Sequence, residues 1–140
     1  MIKDDVYYMN RAYKEAMKAY DKDEIPIGVV IVKDGKIISQ AHNLRDSKQI
    51  VTKHAEIVAI EKANKKENNW RLIDCTLYTT LEPCDMCSEV IKESKIEKVV
   101  YAAKNQNKSH NKEYIQINNK EIINKCELII KNKFVELRNK

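Results

Sequence analysis

The sequence predicts an α/β fold: a three-layer α/β/α sandwich around a mixed five-stranded sheet. Three observations predict it. Two β-branched runs, 27–32 and 36–40, flank Asp34-Gly35, and both turn residues tolerate positive φ, so the pair reads as a hairpin. Further apolar runs at 75–80 and 98–103 are separated from their neighbours by helix-period segments. Strands separated by helices favour a largely parallel sheet with helices on both faces. The order reads α-β-β-α-β-α-β-(β)-α, and the 140 residues fit one domain, 1–140.

The elements follow in order. Val6, Met9, Tyr13, Ala16, Met17 and Tyr20 recur at three- and four-residue steps and predict an amphipathic helix that cannot continue past Pro26. The run 27–32 is nearly all apolar, as in a strand covered on both faces. Residues 41–53 read as a polar, irregular loop, and 54–66 as a helix through Ala55, Val58, Ala59, Ile60 and Ala63. A short strand at 75–80 precedes a helix that Pro83 starts and that runs to about Ser94. A strand at 98–103, a polar loop at 104–112 and a short strand at 114–117 lead to a last helix, 121–138. Its stripe is Ile122, Cys126, Ile129, Ile130, Phe134 and Leu137.

Composition narrows the function classes. Hydrophobic residues at 43% and charged residues at 34% exclude collagen-like, disulfide-dense and disordered chains. No apolar run approaches the ~18 residues of a membrane span. Met1-Ile2-Lys3-Asp4-Asp5 carries acids where a signal peptide is basic and then apolar, so the expectation is a cytoplasmic chain. The net charge of +5 permits nucleic-acid binding without arguing for it, because it rests on Lys in a chain also crowded with Ile and Asn. Four cysteines, Cys75, Cys84, Cys87 and Cys126, are expected to be reduced. Cys75 and Cys126 lack ligand spacing and are expected to pack as small apolar groups.

The chemistry sits in two short pieces. His54-Ala55-Glu56 opens one helix, and Pro83-Cys84-Asp85-Met86-Cys87 opens another. Two cysteines three apart face the same way at a helix start, where unpaired amides favour the thiolate. Alone, C-x-x-C means metal, redox chemistry or coincidence. With His54 as a third ligand it resembles a catalytic zinc site, which keeps a fourth position for water. Glu56 would sit beside that position without ligating the metal. Together and in this order, the pieces match the signature H-x-E…P-C-x-x-C of zinc nucleobase deaminases.

At this point the chain resembles the cytidine-deaminase-like superfamily, and within it the bacterial tRNA-specific adenosine deaminases. The resemblance is carried by Ile25-Pro26-Ile27-Gly28-Val29-Val30, His42-Asn43, His54-Ala55-Glu56-Ile57, Trp70-Arg71-Leu72-Ile73-Asp74 and Thr76 through Cys87. It implies one zinc per chain held by His54, Cys84 and Cys87, with Glu56 as proton shuttle. It implies Asn43 as a base-binding residue, a homodimer, and hydrolytic deamination of adenosine to inosine at the wobble position of a tRNA anticodon loop. Read from the residues alone, Asn43 is also a turn residue after the second strand.

The chain departs from the pattern after Ala103. Relatives carry an acidic residue and then a Gly-rich loop that helps enclose the nucleotide. Here Asn105 takes the acidic place as a candidate substrate-binding residue, and glycine occurs only at positions 28 and 35. His110 either matches a family histidine or is a solvated loop residue. Lys125, Lys131, Lys133, Arg138 and Lys140 read either as phosphate contacts or as a solvated helix face. The rival expectations are a deaminase of a free base or nucleoside (guanine or cytosine type), a non-enzymatic zinc protein and a C-x-x-C thiol oxidoreductase.

Overall fold

The computed structural model describes residues 3–139. The N-terminal reading at Met1 and Ile2 and the candidate contact Lys140 lie outside these residues. The order is α1 (Asp5–Asp21), β1 (Gly28–Lys33), β2 (Lys36–His42), α2 (Arg45–Lys48), α3 (Ala55–Glu67), β3 (Cys75–Leu81), α4 (Asp85–Glu93), β4 (Lys98–Ala103), β5 (Ile115–Gln116) and α5 (Lys120–Arg138). The five strands form one sheet in the order β2-β1-β3-β4-β5.

The hairpin closes as expected, with Asp34 and Gly35 both at positive φ. The expectation of a largely parallel sheet needs correction. Strand β1 is antiparallel to both β2 and β3, and only the β3–β4 and β4–β5 pairs are parallel. The segment holding α2 and α3 leads from edge strand β2 over β1, so β3 enters beside β1 running the opposite way. Strand β1 is then buried on both faces.

Two cores confirm three layers. Ala55, Val58, Ala59 and Ala63 of α3 and Ile91 of α4 pack with Val29, Ile31, Leu77 and Val99 on one face. Tyr8, Met9 and Ala12 of α1 and Ile122 and Cys126 of α5 pack with Val30, Val32, Tyr78 and Val100 on the other. Cys75 and Cys126 are buried, as expected of small apolar groups.

The stripe of α1 is rotated from the one its large residues suggest. The buried residues are Tyr8, Met9, Ala12, Glu15, Ala16 and Ala19. Alanines lie closest to the sheet because the contact with β1 is too tight for more: a Cβ on Gly28 would stand 1.9 Å from the Ala12 carbonyl oxygen. The larger Tyr13 and Tyr20 sit instead under the ammonium groups of Lys125 and Lys133 from α5. On α5 the position expected for Phe134 is filled by Lys133. Phe134 is 48% exposed and Lys133 is 2% exposed, bonded to Asp23 at 2.9 Å. Lys133 is therefore removed from the candidate phosphate contacts.

The expected loop 41–53 contains the end of β2 and the single helical turn α2. A fully buried carboxylate, Glu24, caps that turn by accepting from the Asp46 and Ser47 amides at 3.1 and 2.5 Å and from the Ser47 hydroxyl. Pro83 stands two residues before α4 rather than in its first turn.

Candidate metal centre and active site

Helices α3 and α4 pack on the same sheet face, and their N-termini bring the two sequence motifs together. His54 is the N-cap of α3 and Cys84 the N-cap of α4, both with extended backbone. Neither side chain is used in a capping hydrogen bond, so both are free to face a ligand. Cys87 lies in the first turn of α4 and is fully buried.

Nδ1 of His54 lies 3.7 Å from Sγ of Cys84 and 3.5 Å from Sγ of Cys87. Tetrahedral zinc with Zn–S of about 2.3 Å and Zn–N of about 2.0 Å places nitrogen and sulfur roughly 3.6 Å apart. The three donors therefore stand at zinc-ligand spacing. Among the described residues no fourth His, Cys, Asp or Glu joins the group. Three protein donors with an open fourth position are the arrangement of a catalytic site, and two thiolates with an imidazole favour zinc over Mg²⁺ or Ca²⁺.

Glu56 enters the same space from the first turn of α3. It is 3% exposed, and its Oε1 has no hydrogen-bond partner. A buried carboxylate oxygen without a partner is costly unless something else occupies its neighbourhood. Burial pushes Glu56 up to about 7, reinforced by the Cys84 charge. The Cys84 thiol is held down at about 4, first by its hydrogen bond with Cys87 and also by His54, against the effect of burial. Cys87 is pushed up first by its hydrogen bond with Cys84 and then by burial, and His54 is pushed up by its hydrogen bond with Cys84. The cluster thus favours one thiolate at Cys84 even before a cation is added.

Asn43 follows β2 and is buried. Its Nδ2 donates to the Ile25 carbonyl at 3.3 Å, and its Oδ1 accepts from the Arg45 amide at 3.0 Å. The turn chemistry is present, and one amide hydrogen remains uncommitted. Asn105 is engaged in its own loop. Its Nδ2 donates to the Glu82 carbonyl at 3.3 Å, and its Oδ1 accepts from the Asn107 amide at 2.8 Å.

His110 is not a solvated loop residue. Its Nε2 lies 2.8 Å from the Pro83 carbonyl oxygen, and its Nδ1 accepts from the Lys112 amide at 3.2 Å. Those bonds assign the proton to Nε2. The Glu24 cap on α2 went unread in the sequence, because the two partners are some twenty positions apart and no local pattern announces them.

Residues 2–103 match the model of the cytidine and deoxycytidylate deaminase zinc-binding region. The chain belongs to this family. It is 50% identical over 105 residues to a tRNA-specific adenosine deaminase of Streptococcus pyogenes, covering 75% of this chain and 66% of that one. It is 50% identical over 99 residues to the tRNA-specific adenosine deaminase of Bacillus subtilis, covering 71% of this chain and 62% of the relative. The chain thus spans somewhat under two thirds of these relatives' length. A solved structure from work on A-to-I editing by tRNA:A34 deaminases superposes with a TM-score of 0.74 at 31% identity, covering 80% of this chain and 98% of the other. Guanine deaminase from Bacillus subtilis superposes with a TM-score of 0.70 at 38% identity, covering 73% and 66%. The family model describes a zinc-binding region, and His54, Cys84 and Cys87 are the residues of this chain that could hold that metal. Among the described residues no helix is long and apolar enough to cross a membrane.

Proposed function

We propose that the chain is a zinc-dependent hydrolase that converts adenosine to inosine in tRNA, at the first anticodon position, acting in the cytoplasm as a homodimer. One observation carries the hydrolytic part: the buried carboxylate of Glu56, one oxygen of which has no hydrogen-bond partner, beside a three-donor cluster that no fourth His, Cys, Asp or Glu closes among the described residues. The likeness to tRNA-specific adenosine deaminases supports the substrate. The exposed apolar side chains of Ile50 and Val51, just before His54, support a partner surface at that rim.

His54, Cys84 and Cys87 would hold the metal, which when bound supplies Lewis-acid chemistry and activates water for attack. Glu56 takes a proton from the attacking water and delivers it to the ring nitrogen of adenine as oxygen bonds to C6. Glu56 then takes the proton of the new C6 hydroxyl and passes it to the exocyclic amino group, the bond from C6 to that nitrogen breaks, and ammonia leaves as the C6 carbonyl forms. A Glu56 that burial holds near neutrality is suited to carry a proton both ways. Asn43 would offer its remaining amide hydrogen to the base. A hairpin loop presents that base already unpaired, which lowers the cost of extracting it.

A second reading, deamination of a free base, is favoured by the likeness to guanine deaminase. Sequencing of tRNA after exposure to the zinc-loaded protein separates the two. Inosine at the first anticodon position supports the proposal. Unchanged tRNA together with deamination of guanine or cytosine overturns it.

A further inference from the structure

The segment 104–112 is stapled to the start of α4 by side chains that flank Cys84. Both Ser109 and His110 amides donate to one oxygen of Asp85, Oδ1, at 2.9 Å, and Ser109 also reaches Oδ2 at 3.1 Å. The imidazole of His110 donates to the Pro83 carbonyl at 2.8 Å. Upstream, buried Glu82 accepts from the Asn105 amide at 3.2 Å and pairs with Lys108 at 3.5 Å. Three residues that flank Cys84, namely Glu82, Pro83 and Asp85, thus hold both halves of one loop.

The loop lies against the candidate site. The His110 ring packs on Tyr114 with centroids 5.7 Å apart, and Tyr114 packs into the core that holds α3 and α4. The loop contains no glycine and no residue at positive φ. Such a backbone lacks the usual hinge positions.

We propose that Asp85 is a positioning residue that sets loop 104–112 as a preformed wall of the base entrance, so that substrate binding does not have to order it. The assignment rests on the RNA-deaminase reading for its substrate and on geometry alone for the staple. Carboxylate-to-amide bonds are among the stronger hydrogen bonds available to a loop. A chain whose binding-competent conformation falls to about a tenth of the population binds about tenfold more weakly, with the bound state unchanged.

The test compares the zinc-loaded wild type with Asp85→Asn and Asp85→Ala. Asparagine keeps one oxygen able to accept both amides, as Oδ1 does here. Amide exchange at Ser109 and His110, measured without substrate, should be slow in the wild type and Asp85→Asn and at least tenfold faster in Asp85→Ala. With an anticodon stem-loop RNA, KM should rise about tenfold in Asp85→Ala while kcat and metal content stay within about twofold, and Asp85→Asn should restore KM. Unchanged exchange in Asp85→Ala overturns the staple. Faster exchange with unchanged KM overturns the wall. A wild type that leaves the RNA adenosine untouched overturns the substrate reading alone, and the exchange comparison still decides the staple.

Discussion

Nδ1 of His42 lies 3.0 Å from a carboxylate oxygen of Glu15, with both side chains largely withdrawn from solvent. Lys18 binds the other oxygen at 2.6 Å. The pair ties α1 to the end of β2, directly before Asn43. A glutamate on the buried face of an amphipathic helix is tolerated because both oxygens are satisfied.

Burial raises Glu15, but the hydrogen bonds from His42 and Lys18 outweigh it and hold the carboxyl at about 2 against an ordinary 4.5. The folded chain therefore keeps Glu15 ionised where the unfolded chain protonates it. The resulting stability is fully present above about pH 4.5 and is lost as pH falls toward 2. At neutral pH it amounts to about 3 kcal/mol at most. Glu15→Gln should be destabilised relative to the wild type at pH 7, and the gap should close in urea titrations run down to pH 2.5. A gap that is constant with pH would show that the charge contributes nothing.

Gly28 allows α1 to reach the sheet. A methyl group there would meet the Ala12 oxygen at 1.9 Å and the Ala16 nitrogen at 2.4 Å, both backbone atoms that move only if the helix moves. Gly28→Ala should cost about 3 kcal/mol, the upper range for overpacking. Gly35→Ala has open space around it and pays only for its φ of +74°, about 1 kcal/mol. Thermal melts of both variants should rank them in that order, and the reverse order would sink the close-approach account.

What the sequence showed and what it hid follow from range. The Asp34-Gly35 turn, the His54-Ala55-Glu56 start and the Cys84-x-x-Cys87 pair are local patterns, and each stands where its spacing indicated. Periodicity identified the helices but ranked their faces by size. It placed Ala16 on the apolar face of α1 but missed Ala12, and it gave Tyr13 and Tyr20 places on that face that the close approach to the sheet denies them. Bonds such as Glu24 to Ser47, Asp85 to His110 and Lys133 to Asp23 join distant positions by polar side chains. No apolar pattern records them.

Lys133 is a lysine used as packing. Its ammonium lies 3.9 Å from the Tyr20 ring centroid and pairs with Asp23 and Glu136, which are themselves about half exposed. Removing the charge leaves acids that water can reach, so the stem matters more than the charge. Lys133→Met should fall within about 1 kcal/mol of the wild type, whereas Lys133→Ala should lose about 2–3 kcal/mol through the cavity it leaves. Urea unfolding at fixed zinc distinguishes them. Equal losses in both variants would mean that the ion pair dominates.

Glu56 and the metal donors should separate by experiment. Glu56 lies outside the three-donor cluster, so Glu56→Gln should keep about one zinc per chain. The same variant should lower kcat by about 10²–10⁴-fold, the usual contribution of a positioned proton carrier. Cys87→Ser removes a buried donor and should lower zinc content itself, with loss of thermal stability in step, because metal binding and folding are linked. Elemental analysis beside single-turnover kinetics gives both quantities. Glu56→Gln retaining full activity would remove the proton-carrier role. A Cys87→Ser chain with full zinc content would place the ion elsewhere. The thiol-oxidoreductase alternative predicts reversible Cys84–Cys87 oxidation without stoichiometric metal, so a full equivalent of zinc in the wild type counts directly against it.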